Sequence, residues 1–122
     1  MSYRVEIMTV IYGIKNCDTM KKAMAWLTES AIEFDFHDYK KSGIDQELVK
    51  QWLAEFGWEQ VINKRGTTWR NLPEDTKTNM NNEAALACIN ENPSIIKRPF
   101  LVHNEQTLIG FNTNTYRQLF DL

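Results

Sequence analysis

Residues 8 to 39 change hydrophobic period twice, and this constrains the fold more than any other feature of the chain. Met8 to Tyr12 is a short apolar run containing Thr9, Val10 and Ile11, and it stops at Gly13, as a buried strand does. From Asp18 the period lengthens. Met20, Ala23, Met24, Leu27 and Ala31 recur at three- and four-residue steps, which gives a helix one apolar face. Glu33 to Tyr39 then alternates, with Phe34 and Phe36 on one side and Glu33, Asp35 and His37 on the other. That pattern predicts a second strand with one covered face. Strand, helix and strand in so short a span form a βαβ unit, which calls for parallel strands and a right-handed crossover.

The rest of the chain reads as a helical block followed by a hairpin and a helix. Lys40 to Gly43 is a turn. Asp45 is a good N-cap for Leu48, Val49, Trp52, Leu53 and Phe56 at helical spacing, with Gly57 in the C′ place. Trp58 to Ile62 adds another turn or two of helix. Asn63 to Thr68 is a polar, basic loop, and Leu72 to Met80 is weakly patterned. Asn81 or Asn82 caps a helix through Ile89, which Asn92-Pro93 ends. Phe100 to Val102, a turn at Asn104-Glu105-Gln106, and Thr107 to Phe111 read as a β-hairpin. Asn112 or Thr113 caps a last helix carrying Tyr116, Leu119 and Phe120. This order predicts an α/β sandwich with a mixed sheet in a single domain. The segment 45–92 has no strand pattern and is expected to be an inserted helical block. Residues 1–7 are expected to be an N-terminal extension.

Composition excludes several functions. At 122 residues with 43% hydrophobic side chains, the chain can bury a core without a disulfide or metal staple. Sixteen acidic and 14 basic residues leave a net charge of −2, which argues against direct binding of nucleic acid. No apolar run is long enough to span a membrane, and the N-terminus lacks a secretory apolar region, so a cytoplasmic location is expected. Cys17 and Cys88 are far apart in sequence, which in a reducing compartment is no disulfide framework. Neither pairs with His37 or His103 at zinc-ligand spacing, and no metal site is expected.

Cys17 is the residue placed for chemistry. It stands where the first strand hands over to the first helix, among unpaired amide N–H groups and the positive end of the helix dipole. That position would stabilise a thiolate, with Lys15, Lys21 and Lys22 adding positive charge and Asp18 opposing it. The alternative is a small buried residue in a turn; position favours the thiol. Cys88, inside Ala84-Ala85-Leu86-Ala87-Cys88-Ile89, reads as an inert core residue. Lys97-Arg98-Pro99 precedes the hairpin. Pro99 is either an edge-strand proline or a cis proline that sets Arg98 beside the thiol, and Arg98 has the planar fork that suits an oxyanion or carboxylate. Lys64, Arg65 and Arg70 lie in a loop and alone are weak evidence for a site. His37 reads as a solvent-facing strand residue. Trp26, Trp52, Trp58 and Trp69 read as packing, without the spacing of a stacking platform.

Three segments carry a resemblance. Ile11-Tyr12-Gly13-Ile14-Lys15-Asn16-Cys17-Asp18-Thr19, Asn63-Lys64-Arg65-Gly66-Thr67-Thr68-Trp69-Arg70 and Ile95-Ile96-Lys97-Arg98-Pro99 occur in order and at matching intervals. Together they resemble the arsenate-reductase-like (ArsC/Spx) family, in its small YffB-type subgroup, over Thr9 to Leu122. The resemblance implies a thioredoxin-like sandwich with a mixed four-stranded sheet and an inserted helical block, a cis Pro99, and a thiol site at Cys17. In arsenate reductases of the family the cysteine attacks arsenate, arginines hold the oxyanion, and glutathione and glutaredoxin complete the reduction. Arg98 matches the arginine before the proline, and Arg65, or Lys64 in the other register, matches a second. A third is missing: Gly110 stands near its place. Gly13-Ile14-Lys15 also replaces the His-Asn-Pro of those enzymes. The Spx branch binds RNA polymerase and often carries Cys-x-x-Cys, whereas this chain has Cys17-Asp18-Thr19-Met20.

The resulting expectation is a monothiol oxidoreductase. Cys17 is the nucleophile and Arg98 its catalytic partner. Lys15, Asn16, Asp18, Thr19, Lys64, Arg65 and Pro99 form the substrate site. Glutathione is the co-substrate, glutaredoxin a possible further partner, and no cofactor is tightly bound. Two alternatives stand beside it: an Spx-like regulator that binds RNA polymerase without catalysis, and a glutathione- and glutaredoxin-coupled arsenate reductase.

Overall fold

The computed structural model describes residues 8–122; the expected extension at 1–7 lies outside the described residues. In chain order the elements are β1 (Thr9–Gly13), α1 (Asp18–Glu29), β2 (Asp35–Asp38), α2 (Tyr39–Ser42), α3 (Gln46–Phe56), α4 (Trp58–Val61), α5 (Thr67–Arg70), α6 (Glu74–Thr78) and α7 (Asn82–Glu91). A 3-10 turn at Pro93–Ile95, then β3 (Phe100–His103), β4 (Gln106–Ile109) and α8 (Thr113–Leu119) complete the chain. Contacts divide it into two compact units. One holds the described residues up to Asp38 together with Arg98–Leu122, and the other is Tyr39–Lys97.

In the first unit, the described residues form one four-stranded sheet ordered β2-β1-β3-β4. β1 runs parallel to β2, with Val10 opposite Asp35 and Gly13 opposite Asp38. β3 is antiparallel to β1, with Tyr12 opposite Phe100, and β4 is antiparallel to β3. This is the thioredoxin-like sandwich with a mixed sheet. The core follows from the period-2 and period-3.6 patterns meeting: Ile11 and Leu101 from the sheet pack with Met20, Ala23 and Leu27 of α1 and Tyr116 of α8, all fully buried. Trp26 and Phe111 set their edges against Tyr116, with centroids 5.5 Å and 5.0 Å away. Gly13 ends β1 under α1, where the Met20 thioether occupies the space that a Cβ would take.

Three expectations here need correction. The second strand covers only Asp35–Asp38, and Phe36 is 37% exposed, not covered. β2 is an edge strand, and of its phenylalanine pair only Phe34 reaches the core cluster. Ala31 is not on the apolar face of α1. The helix ends at Glu29, and Ala31 follows its cap with φ 60°.

The second unit is helical. Asp45 caps α3, its side chain accepting the Glu47 N–H, and Gly57 follows with φ 81°. Asn81 caps α7, accepting the Ala84 N–H at 2.8 Å. Val49, Trp52, Leu53, Val61, Ile62, Ala85, Ile89, Ile95 and Ile96 form its buried interior. Tyr39 is fully buried and donates to the Ile96 carbonyl at 3.0 Å. Two segments read as irregular contain helix: Lys40 to Gly43 is mostly α2, and the basic loop passes into α5 at Thr67. A short helix also lies in the weakly patterned stretch, α6. Elements of four or five residues barely complete a helical period, and of these the sequence pattern predicts only α4.

A candidate thiol site at one end of the sheet

The strand register gathers four chain segments at one end of the sheet. β1 leaves through Gly13 into the Ile14–Asn16 loop and Cys17. β2 ends beside it at Asp38, opposite Gly13. Because β3 is antiparallel and pairs Phe100 with Tyr12, Arg98 and Pro99 enter at this same end. β4 leaves there through Gly110, whose N–H donates to the Pro99 carbonyl at 2.8 Å. A crevice outside the carboxyl ends of parallel strands is the usual ligand position in α/β sheets.

Cys17 is the N-cap of α1. Its backbone is extended (φ −109°, ψ 128°), and its carbonyl accepts the Lys21 N–H at 3.0 Å. No side-chain hydrogen bond caps this helix. The first-turn amides, which an Asp or Ser at the N-cap would normally engage, therefore donate no hydrogen bond to the Cys17 side chain. The thiol is half-buried against the core cluster. Asn16, just before it, has φ 66°, a left-handed conformation that asparagine tolerates, and it turns the chain into the cap. Lys15, Asn16, Asp18 and Thr19 are exposed around it.

Arg98 is half-buried and Pro99 buried, and the bond between them is cis. Gly110, at the same end, has φ 81° and offers no side chain. Lys64 and Arg65 belong to the second unit. There Lys64 stands over the rings of Trp58 and Trp69, and both it and Arg65 are exposed.

Other sequence readings are corrected by the geometry. His37 is half-buried, and its ring lies 5.3 Å from that of Tyr12, its cross-strand partner at the same sheet end. Alternation along β2 alone gave no sign of this neighbour. Trp58 and Trp69 do stack, with centroids 5.6 Å apart, although no sequence interval announces it. Cys88 is not a core residue. The buried face of α7 centres on Ala85 and Ile89, and Cys88, three residues from the first, is left half-buried at its edge. It lines a cavity of about 350 Å³ with Thr67, Asn71 and Glu91. Burial first, and the Glu91 carboxylate second, push its thiol above the ordinary value. Among the described residues, no three His, Cys, Asp or Glu side chains group so as to hold a metal ion. Nor is any helix there long and apolar enough to cross a membrane.

Comparison with known proteins now decides the family. The ArsC family matches residues 12–119. This chain belongs to the ArsC family. A solved structure named YFFB protein is similar, at 47% identity and a TM-score of 0.86, with 90% of this chain and 96% of that chain covered. A Haemophilus influenzae protein named only as uncharacterized is 46% identical over 113 residues, 93% of this chain and 99% of its own. The global transcriptional regulator Spx of Streptococcus agalactiae is 29% identical over 112 residues, 90% of this chain and 81% of that protein. The ArsC-family match includes Cys17, Arg98, Pro99 and the Lys64-Arg65 pair.

Proposed function

We propose that this chain is a glutathione-dependent monothiol oxidoreductase with Cys17 as its nucleophile. The observation that carries the reading is the placement of a cysteine at an N-cap without a side-chain cap bond, at the sheet end where Arg98 and Pro99 also enter. First-turn amides at such a place are donors for a sulfur anion. Arg98 and Lys15 are the cations assigned to the carboxylates of glutathione.

The chemistry is two exchanges. The Cys17 thiolate attacks the glutathione sulfur of a mixed disulfide; a bond forms between the two sulfurs and the substrate leaves as its thiolate. A second glutathione thiolate then attacks the glutathione sulfur of the Cys17 adduct. Oxidised glutathione forms, and the Cys17 thiolate is regenerated. For each substrate thiol released one free glutathione thiol is consumed; the other half of the oxidised glutathione is the glutathione that the mixed disulfide carried. Met20 stands where a Cys-x-x-Cys motif would place its second cysteine, so resolution falls to the external thiol.

The test is oxidised glutathione added to the intact chain and to Cys17→Ser, read by mass spectrometry. One adduct is expected on the former, at Cys17, and none on the latter. Arg98→Ala should slow adduct formation about tenfold if it binds a carboxylate. An unreactive Cys17 defeats the proposal.

The Spx relative supports a second reading, a regulator that binds RNA polymerase with no catalysis. Recovery of RNA polymerase with the chain, together with an inert Cys17, would favour it. Arsenate reduction is the third reading and is tested by arsenate-dependent NADPH consumption in a glutaredoxin-coupled assay. Gly110, offering no side chain at the third arginine's place, weighs against it.

A further inference from the structure

Two tryptophans and a lysine stand together in the helical unit. Trp58 opens α4 and Trp69 lies within α5, and their planes are 24° from parallel at a centroid distance of 5.6 Å. Asn82 steadies the first, accepting the Trp58 N–H at 3.0 Å and donating to the Leu53 carbonyl at 3.1 Å. Lys64 Nζ lies 5.3 Å from the Trp58 centroid and 6.0 Å from that of Trp69, within cation–π range of both.

The turn that carries Lys64 is held at its base. Asn63 donates its N–H to the Ile95 carbonyl at 2.8 Å, and its side chain accepts the Arg65 N–H at 3.2 Å. Its carbonyl accepts the Gly66 N–H, also at 3.2 Å. A Cβ on Gly66 would stand 3.0 Å from Asn63 Nδ2, so a larger residue there would press on the Asn63 side chain. Arg65, next to the clamped lysine, is exposed, and among the described residues its guanidinium has no hydrogen-bond or ion-pair partner.

We propose that Trp58 and Trp69 are positioning residues that hold Lys64 on their rings, so that this turn presents one cation, Arg65, to an anionic ligand. The inference rests on the reading of the chain as an oxidoreductase with a carboxylate-bearing co-substrate. It divides an adjacent Lys-Arg pair into an anchor and a ligand group. A lysine is a point charge on a flexible stem, whereas arginine is a rigid fork that matches a carboxylate or oxyanion. Clamping the lysine removes a mobile, less selective competitor and orders the backbone on which the fork is mounted.

The experiment uses the full chain and S-methylglutathione, which cannot exchange disulfides, with inorganic phosphate as a second probe. Binding is followed by titration calorimetry in every variant, and also by the NMR signal of the Arg65 Nε–H where arginine is kept. Arg65→Ala should weaken binding about tenfold, and Arg65→Lys should recover only part of it. Lys64→Met should cost about threefold, and Lys64→Arg, which keeps the cation on the rings, should restore it. Trp58→Leu should cost as much as Lys64→Met, and the double variant no more than either. The Lys64 ε-methylene protons should be shifted upfield in the wild type and released in Trp58→Leu.

The proposal is overturned if Trp58→Leu leaves binding unchanged, if Lys64→Met costs as much as Arg65→Ala, or if neither probe moves the Arg65 signal. An inert Cys17 toward oxidised glutathione would instead defeat the oxidoreductase reading, and these binding measurements would still decide the clamp. Because Trp58 is only half-buried, its replacement is the practical variant; Trp69, 8% exposed, is the one whose loss endangers folding.

Discussion

Cys17 and Cys88 have the same side chain in different surroundings. Cys17 is the N-cap residue of α1, whereas Cys88 lies on the flank of α7 beside Glu91; both are half-buried. The raised pKa of Cys88 means that it ionises later than an ordinary thiol as pH rises, so at neutral pH it holds less thiolate. In Cys17→Ser, iodoacetamide labelling of Cys88 should therefore reach half its limiting rate at a higher pH than in the urea-unfolded chain. Glu91→Gln should lower that midpoint without returning it fully, because burial is the larger cause. Equal midpoints in the folded and unfolded chain would remove the argument.

At the scale of elements, aspartate and asparagine side chains cap α3, α7 and α8. Asn112 accepts N–H groups from Asn114 at 2.9 Å and Thr115 at 3.1 Å, and α8 has few residues over which to spread the cost of nucleation. Asn112→Ala should cost about 1 kcal/mol, read as a lower urea midpoint, while Asn112→Asp should keep most of the stability. The helix it starts carries Tyr116 into the core, so the loss is felt beyond the cap. These caps, the strand–helix–strand opening and the hairpin were legible from local pattern. The short helices α2, α5 and α6 were not, since four or five residues complete barely one turn. The exposure of Phe36 was not legible either, because alternation says which side a residue faces and not whether anything covers it.

For the whole molecule, stability should depend on alkali through Tyr116. Burial raises its phenol far above the ordinary tyrosine value, and its hydroxyl donates to the Gly110 carbonyl at 3.1 Å. The folded chain thus favours the neutral phenol more than the unfolded chain does. This contribution is fully present below about pH 10, the unfolded value, and is lost as pH rises beyond it toward the folded one. Urea midpoints measured across that range should fall for the wild type. Tyr116→Phe should be less stable near neutrality, for want of the hydrogen bond, and should fall less steeply in alkali. Parallel decline of the two would show that Tyr116 does not carry the effect. The hydrogen bond also ties α8 to Gly110, the residue that follows β4 and bonds to Pro99, so core packing and the candidate site share one support.

By itself the amino-acid order determined the succession of strands and helices, the caps that begin them, and the place of Cys17 at a strand-to-helix handover. These are properties of neighbours in the chain, set by hydrophobic period and by which side chains can satisfy unpaired amides. Only the tertiary structure decided that Asp38, Arg98, Pro99 and Gly110 meet Cys17's end of the sheet, that His37 leans on Tyr12, and that Lys64 rests on two tryptophans. Those contacts join residues far apart in sequence, and they follow from strand register and helix packing, which no local window contains.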